Sequence, residues 1–282
     1  MLNRKWILVA LMVVAGCATW RAPERPPLTG EEKDQLRSYW ELFLNQDPRW
    51  QEARGEWLQM SEAARNTLVE NLIRYMSDSF NTNQIEKATR ASAELVLLDR
   101  IALETLVAVL MYDKNALGLR TMAARCLVSI GPASVPGLIQ CLESPRYRSR
   151  YLATRALGMI HDERGLDPLI RMLTDDDNFG VRREAAIALS NFQADRAGKA
   201  LCRTLEDSEP MVVEKVITSL GKMKYLPCVP RLVEHLARIE KDGSSGTLPL
   251  RRRIRETLQK ITSLDVDSSL DMYRSWKPEQ GK

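Results

Sequence analysis

Residues 181–192 read Val181-Arg182-Arg183-Glu184-Ala185-Ala186-Ile187-Ala188-Leu189-Ser190-Asn191-Phe192, and this pattern of charged, small and large apolar residues returns along the 282-residue chain. With Leu189 as marker, Leu97, Leu127, Leu157, Leu189, Leu220 and Leu258 follow one another at 30, 30, 32, 31 and 38 residues. A period in that range marks a repeat array, in which each unit leaves an apolar face open until a neighbour stacks on it. Other columns keep step. Arg90, Arg120, Arg150, Arg182 and Arg251 align, with Val213 breaking the series, and so do Ile130, Ile160, Phe192, Met223 and Ile261. Within each copy apolar residues fall three and four apart, and Gly or Pro separates the runs, which predicts a helix, a turn and a second helix. The expected fold class is all-α, an α-solenoid built of helical hairpins.

"VRREAAIALSNF" and "SRYLATRALGMIHD" resemble the second helix of the HEAT family, in particular its short bacterial form called PBS-lyase-like. The resemblance covers most of residues 62–261 and implies hairpins at 61–98, 100–130, 133–160, 165–192, 196–223 and 227–261. It also implies a ladder in which turn carboxylates and arginines link neighbouring repeats. Its expected members are Asp113 with Arg120, Glu143 with Arg150 and Asp175 with Arg182, each seven residues apart. Lys241-Asp242-Gly243-Ser244-Ser245-Gly246 reads as an insertion between the last two helices and accounts for the 38-residue gap.

Outside the array (61–261) the chain changes character. Residues 1–16 have a basic head at Asn3-Arg4-Lys5, an apolar run from 6 to 14 and small residues at Ala15-Gly16, the pattern of a secretion signal. The apolar run is shorter than the roughly 20 residues that a spanning helix needs. Val14-Ala15-Gly16-Cys17 looks like the lipobox of bacterial lipoproteins, which implies cleavage before Cys17 and lipidation of its thiol, as with palmitate. Residues 17–30 carry Pro23, Pro26, Pro27 and Gly30 and read as a lipidated flexible tether, reaching roughly 40 Å if extended. Residues 31–60 read as a helical cap, with Leu36, Tyr39, Trp40, Phe43 and Leu44 on one stripe, Trp50, Trp57 and Leu58 on the next, and a capping box at Thr29 and Glu32. Residues 262–282 close the other end through Leu270, Met272, Tyr273 and Trp276. This ending is similar to that of bacterial HEAT proteins, except that Ser263 stands where they carry glycine.

The formal net charge is +4, or +2 without Arg4 and Lys5, so no nucleic-acid footprint is expected. Cys126, Cys141, Cys202 and Cys228 lie near apolar stripes and read as small buried groups, with Cys126 and Cys141 the pair placed for a bridge about the Gly131-Pro132 turn. His161 and His235 have no zinc-ligand spacing, and His161-Asp162-Glu163 reads as a solvated turn. Asp175-Asp176-Asp177 lacks a calcium-loop pattern and reads as a capped helix turn. No nucleophile or nucleotide signature is present, and no catalytic residue, metal or cofactor is expected.

The resulting expectation is a non-enzymatic, protein-binding scaffold in the bacterial cell envelope, lipid-anchored at Cys17 and facing the periplasm from the outer membrane if the cell is Gram-negative. Its partner would be an unidentified envelope protein, with the membrane reached through the N-terminal lipid and no small-molecule substrate. The expected protein-binding surface is Met122, Arg125, Leu152, Arg155 and Ile187, with Glu184 and Ile187 pointing away from the core. The alternative, implied by the PBS-lyase resemblance, is bilin-lyase-like or other enzyme chemistry.

Overall fold

A computed structural model describes residues 28–277 apart from 58, 60, 82–83, 99, 112–116 and 243–246. Residues 1–16, Cys17 and most of the tether lie outside the described residues, as do Leu58 and Asp113. The fold is an all-α solenoid, with no strand among the described residues, and its chain divides into two compact units that meet in sequence at Ile130 and Gly131.

The first unit opens with α1 (Gly30–Leu44) and α2 (Trp50–Trp57), followed by the hairpins α3 (Glu62–Asn81) with α4 (Ile85–Leu97) and α5 (Arg100–Met111) with α6 (Leu117–Ile130). The Thr29 hydroxyl accepts from the Glu32 amide at 3.2 Å and the Glu32 carboxylate accepts from the Thr29 amide at 2.8 Å, so the capping box starts α1. Trp40, Phe43, Trp50 and Tyr75 form an aromatic cluster with centroids 5.6–6.0 Å apart, and the Arg90 guanidinium lies 4.6 Å from the Phe43 ring centre. The half-buried Trp40 and Trp50 therefore pack where the cap meets the first hairpin. Beneath them Glu94 is buried, accepting from the Tyr39 hydroxyl at 2.7 Å and from Arg54 at 3.4 Å. Burial pushes its carboxyl above the ordinary range.

The leucine register in this unit needs correcting. Leu97 is 56% exposed, whereas Ala88, Ala91 and Leu95 are buried. Every other marker leucine has a buried residue four positions before it, and Ala91 with Leu95 reproduces that relation. Leu95 is therefore the first member of the column, and Arg90 stands two positions off the arginine column.

The second unit comprises α7 (Val135–Cys141) with α8 (Tyr147–Ile160), α9 (Leu166–Asp175) with α10 (Phe179–Leu189), α11 (Asp195–Arg203) with α12 (Pro210–Met223), and α13 (Val229–Asp242) with α14 (Leu248–Thr262), closed by α15 (Leu270–Ser275). The second helices α8, α10, α12 and α14 lie side by side, each also packed on its own first helix. Leu157, Leu189, Leu220 and Leu258 are all buried between these layers. Left-handed residues stop three of the second helices: His161 (φ 58), Lys224 (φ 50) and Ser263 (φ 63). A left-handed end favours glycine, because any other L-residue brings Cβ against the following carbonyl. α15 packs on α13, and Tyr273 is buried with its hydroxyl donating to the Asp265 carbonyl at 2.7 Å.

The ladder links neighbouring repeats, but with different carboxylates from those expected. Arg150 donates to Asp176 through Nε at 2.7 Å and Nη2 at 2.9 Å, pairs with Asp177, and holds the Ser144 carbonyl of its own turn at 3.0 Å. Arg182 repeats the arrangement with Asp207 at 2.8 and 2.9 Å and with the Asp176 carbonyl at 2.9 Å. Glu143 and Asp175 are exposed and stand outside it. Each guanidinium thus braces its own turn and reaches one repeat onward, a forked geometry suited to arginine.

The bridge is likewise Cys202–Cys228, with Cα atoms 5.7 Å apart, while Cys126 and Cys141 are buried free thiols. Cys202 lies in the last turn of α11 and Cys228 in the 3-10 turn before α13, so the bond ties the end of one first helix to the approach of the next across a repeat boundary. Cys126 Sγ lies 3.1 Å from the Ser92 hydroxyl, and burial raises the Cys141 thiol to about 12.

Candidate functional site

A second helix in the second unit is covered by its own first helix and by the neighbouring second helices of that unit, so that α10 is covered on three sides, by α9, α8 and α12. Only a narrow face remains open, and this decides which side chains can meet a ligand. On α8 of the second unit, past its first turn, the open positions are Tyr151, Arg155 and Met159; beside them stand Arg183 and Ile187 on α10 and Asn191 just after it. They surround a shallow concavity of about 370 Å³ between α8 and α10.

Its floor exists because two small residues let the helices approach. A Cβ built on Gly158 would lie 2.4 Å from the Ala188 Cβ and 2.7 Å from its Cα, so no larger residue fits at 158 without moving a helix. The approach is fastened by Asn191, whose side-chain amide donates to the Gly158 carbonyl at 2.7 Å and accepts from Lys222 Nζ at 2.6 Å. In one wall Glu184 is 6% exposed, with Arg155 Nε 4.0 Å from its Oε1. Tyr151 stands beside Glu184. Burial, then the neighbouring carboxylate, raises the Tyr151 hydroxyl above its ordinary range, so it remains a donor at neutral pH.

The face continues along α12 and α14 and is basic. Arg155, Arg183, Lys215, Lys222, Arg252, Arg253 and Lys260 contribute seven cations against the three carboxylates Glu184, Glu214 and Glu256. Arg253 pairs with Glu214 at 3.3 Å, Arg252 with Glu256 at 2.9 Å and Arg155 with Glu184 at 4.0 Å, and Arg155 and Arg183 are the cations at the mouth of the concavity. Among the described residues no three His, Cys, Asp or Glu side chains converge as a metal site. What the concavity offers is a pair of guanidiniums for carboxylates, apolar edges at Met159 and Ile187, and a sheltered Tyr151 and Glu184 pair for donors and acceptors.

Of the expected surface residues, Arg155 is exposed and Ile187 half-buried, and both line this concavity. Leu152 is 5% exposed and Met122 7%, so the expectation that they face outward is corrected. Glu184 is corrected in the same way. Glu184 sits on the flank of α10 that α8 covers. Arg125, exposed, belongs with Met122 to α6 of the first unit. Tyr151, Arg183 and Asn191 were missed, although Gly158 and Ala188, both small and one repeat apart, marked in the sequence where two second helices close up.

Comparison with known proteins places this site in a family. A model of HEAT repeats matches residues 103–190, 135–208 and 175–246, together just over half of the chain. Over 108 residues, 38% of this chain, the sequence is 36% identical to phycocyanobilin lyase subunit beta of Nostoc sp. strain PCC 7120. Over 92 residues, 33% of this chain, it is 35% identical to phycocyanobilin lyase subunit beta of Pseudanabaena tenuis strain PCC 7409. The matches span 53% and 32% of those relatives' lengths. Among solved structures, the complex of CpcE and CpcF of phycocyanin lyase from Nostoc is similar at 28% identity and a TM-score of 0.47, over 55% of this chain and 97% of that one. The curated relatives are lyase subunits, which overturns the expectation of a non-catalytic, non-enzymatic scaffold. That expectation rested on missing nucleophile and metal signatures.

Proposed function

We propose that this chain, which belongs to the HEAT-repeat family, acts as a subunit of a lyase that attaches a linear tetrapyrrole to a partner protein or removes it. The observation that carries the reading is the 36% identity over 108 residues to a phycocyanobilin lyase subunit. The concavity on α8 and α10 suits such a ligand. Arg155 and Arg183 can pair with its carboxylate side chains, Met159 and Ile187 can cover its apolar edges, and Glu184 with Tyr151 can meet its pyrrole N–H groups. Titration of the purified protein with phycocyanobilin tests this. A saturable change in the pigment's visible absorption is expected, weakened about tenfold or more in an Arg155→Glu, Arg183→Glu variant that still folds. Identical pigment spectra with and without the wild-type protein would overturn the tetrapyrrole reading.

We further propose that the subunit works outside the cytoplasm, tethered through a lipid on Cys17. Two observations support this: the signal-like pattern of residues 1–17, and a Cys202–Cys228 disulfide, a bond that persists in oxidising compartments. Labelled palmitate should enter the wild-type protein and be absent from Cys17→Ser; equal label in both would remove the anchor.

A further inference from the structure

Tyr147, Phe179, Met211 and Leu248 share one place in the second unit. Each is the first or second residue of a second helix, one per repeat, at sequence intervals of 32, 32 and 37. They are 46%, 43%, 53% and 58% exposed, although each is large and apolar. Single exposed apolar residues are ordinary on a protein surface, whereas a row recurring once per repeat is a continuous feature. The row runs along the edge formed by the hairpin turns and the starts of α8, α10, α12 and α14, away from the concavity between α8 and α10. None of the four lines that concavity.

Spacing and charge define what would cover it. Helices packed side by side stand about 8–10 Å apart, so the row presents one apolar group per such step. Seven residues of an α-helix rise about 10.5 Å, so a helix laid along the edge would meet the row with every seventh side chain. Between the apolar groups, residues 175–177 and 207–209 carry the five carboxylates Asp175, Asp176, Asp177, Asp207 and Glu209 against the guanidiniums of Arg150 and Arg182. The edge at α10 and α12 is therefore acidic, whereas at α8 the exposed Arg146 and Arg148 flank Tyr147, with the Arg148 guanidinium 5.7 Å from its ring centre. A second copy of the chain set against it would oppose carboxylate to carboxylate, and a membrane of anionic headgroups would meet the same repulsion.

We propose that this edge docks an amphipathic helix of a partner protein, with an apolar residue at every seventh position and Lys or Arg where it crosses the acidic starts of α10 and α12.

The probe is a fluorescent helical peptide of about 24 residues with Leu at every seventh position and Lys and Ala elsewhere, titrated into the full chain. The variant is Phe179→Ser with Met211→Ser, which removes the apolar groups without changing the charge of the edge. Both positions are exposed and lie in the first turn of a helix, so the variant should keep the wild-type circular dichroism spectrum. Saturable binding of the peptide is expected, about tenfold or more weaker for the double variant, for a scrambled peptide and for one with Glu in place of Lys. Equal affinity of wild type and variant would overturn the proposal, as would equal binding of the scrambled or acidic peptide. So would a wild-type dimer in sedimentation that the variant dissolves, or binding of the wild type to phosphatidylglycerol vesicles that the variant loses.

Discussion

Gly158→Ala adds one methyl group where the second unit has no room for it. Its Cβ would stand 2.4 Å from the Ala188 Cβ, while ordinary contact begins at 3.4 Å, so α8 and α10 must part by about 1 Å. The close neighbours include the Ala188 backbone and cannot swing aside as a flexible side chain would. Overpacking of this kind costs about 1–3 kcal/mol. Parting the helices also stretches the 2.7 Å bond from Asn191 to the Gly158 carbonyl beyond hydrogen-bond range, about 1 kcal/mol more. Against this, alanine is favoured over glycine inside a helix by about 1 kcal/mol. The net expectation is a loss of about 1–3 kcal/mol. Urea unfolding followed by circular dichroism should show a lower midpoint at unchanged slope. Gly55→Ala supplies the control: it is also within a helix, but its added Cβ meets nothing within 4 Å, so it should gain up to about 1 kcal/mol. A Gly158→Ala protein as stable as wild type would show that α8 and α10 do not approach as described.

Removing the bridge with Cys202→Ala and Cys228→Ala releases a closure of 26 residues and should cost about 3–4 kcal/mol in non-reducing buffer, with wild type falling to the same level in reductant. An unfolding midpoint insensitive to reductant would count against the pairing. Glu94 has a folded-state pKa raised by burial, so the folded state keeps a proton that the unfolded state releases; stability should be fullest below about 4.5 and fall as pH rises through the folded value. Glu94→Gln should flatten that decline in thermal melts taken across pH, and parallel curves for the two proteins would refute it. Ser263→Gly relieves a left-handed residue at φ 63 and should raise stability by about 1 kcal/mol, whereas a lower melting temperature would mean that the serine is held by something more than the backbone.

The helices and their pairing were legible because a hairpin's apolar stripe and turn residues are local, and the repetition of Leu127, Leu157, Leu189, Leu220 and Leu258 multiplied a weak signal. The same repetition misled at the first copy. A 30-residue step selected Leu97, yet the local spacing of Ala88, Ala91 and Leu95 shows which face turns inward, and packing follows the face rather than the count. The ladder failed in a different way. Arg182 lies seven residues from Asp175 in sequence, but its partner is Asp207, because adjacent turns in a stack are nearer to the guanidinium than the start of its own turn. Sequence offset cannot say whether an arginine reaches up or down a stack, nor that Cys202 would meet Cys228 across a repeat boundary. The site was obscured by a further geometric fact. A helical wheel divides residues into inward and outward halves, which suits a helix covered on one side; α10 is covered on three, so Glu184, outward on the wheel, is buried at its seam with α8. Once that seam is recognised, Glu184 ceases to be a surface charge and becomes a sheltered carboxylate between Tyr151 and Arg155. Such a group has no motif spacing of its own, because its neighbours come from two helices one repeat apart and are brought together only by the close approach of Gly158 and Ala188.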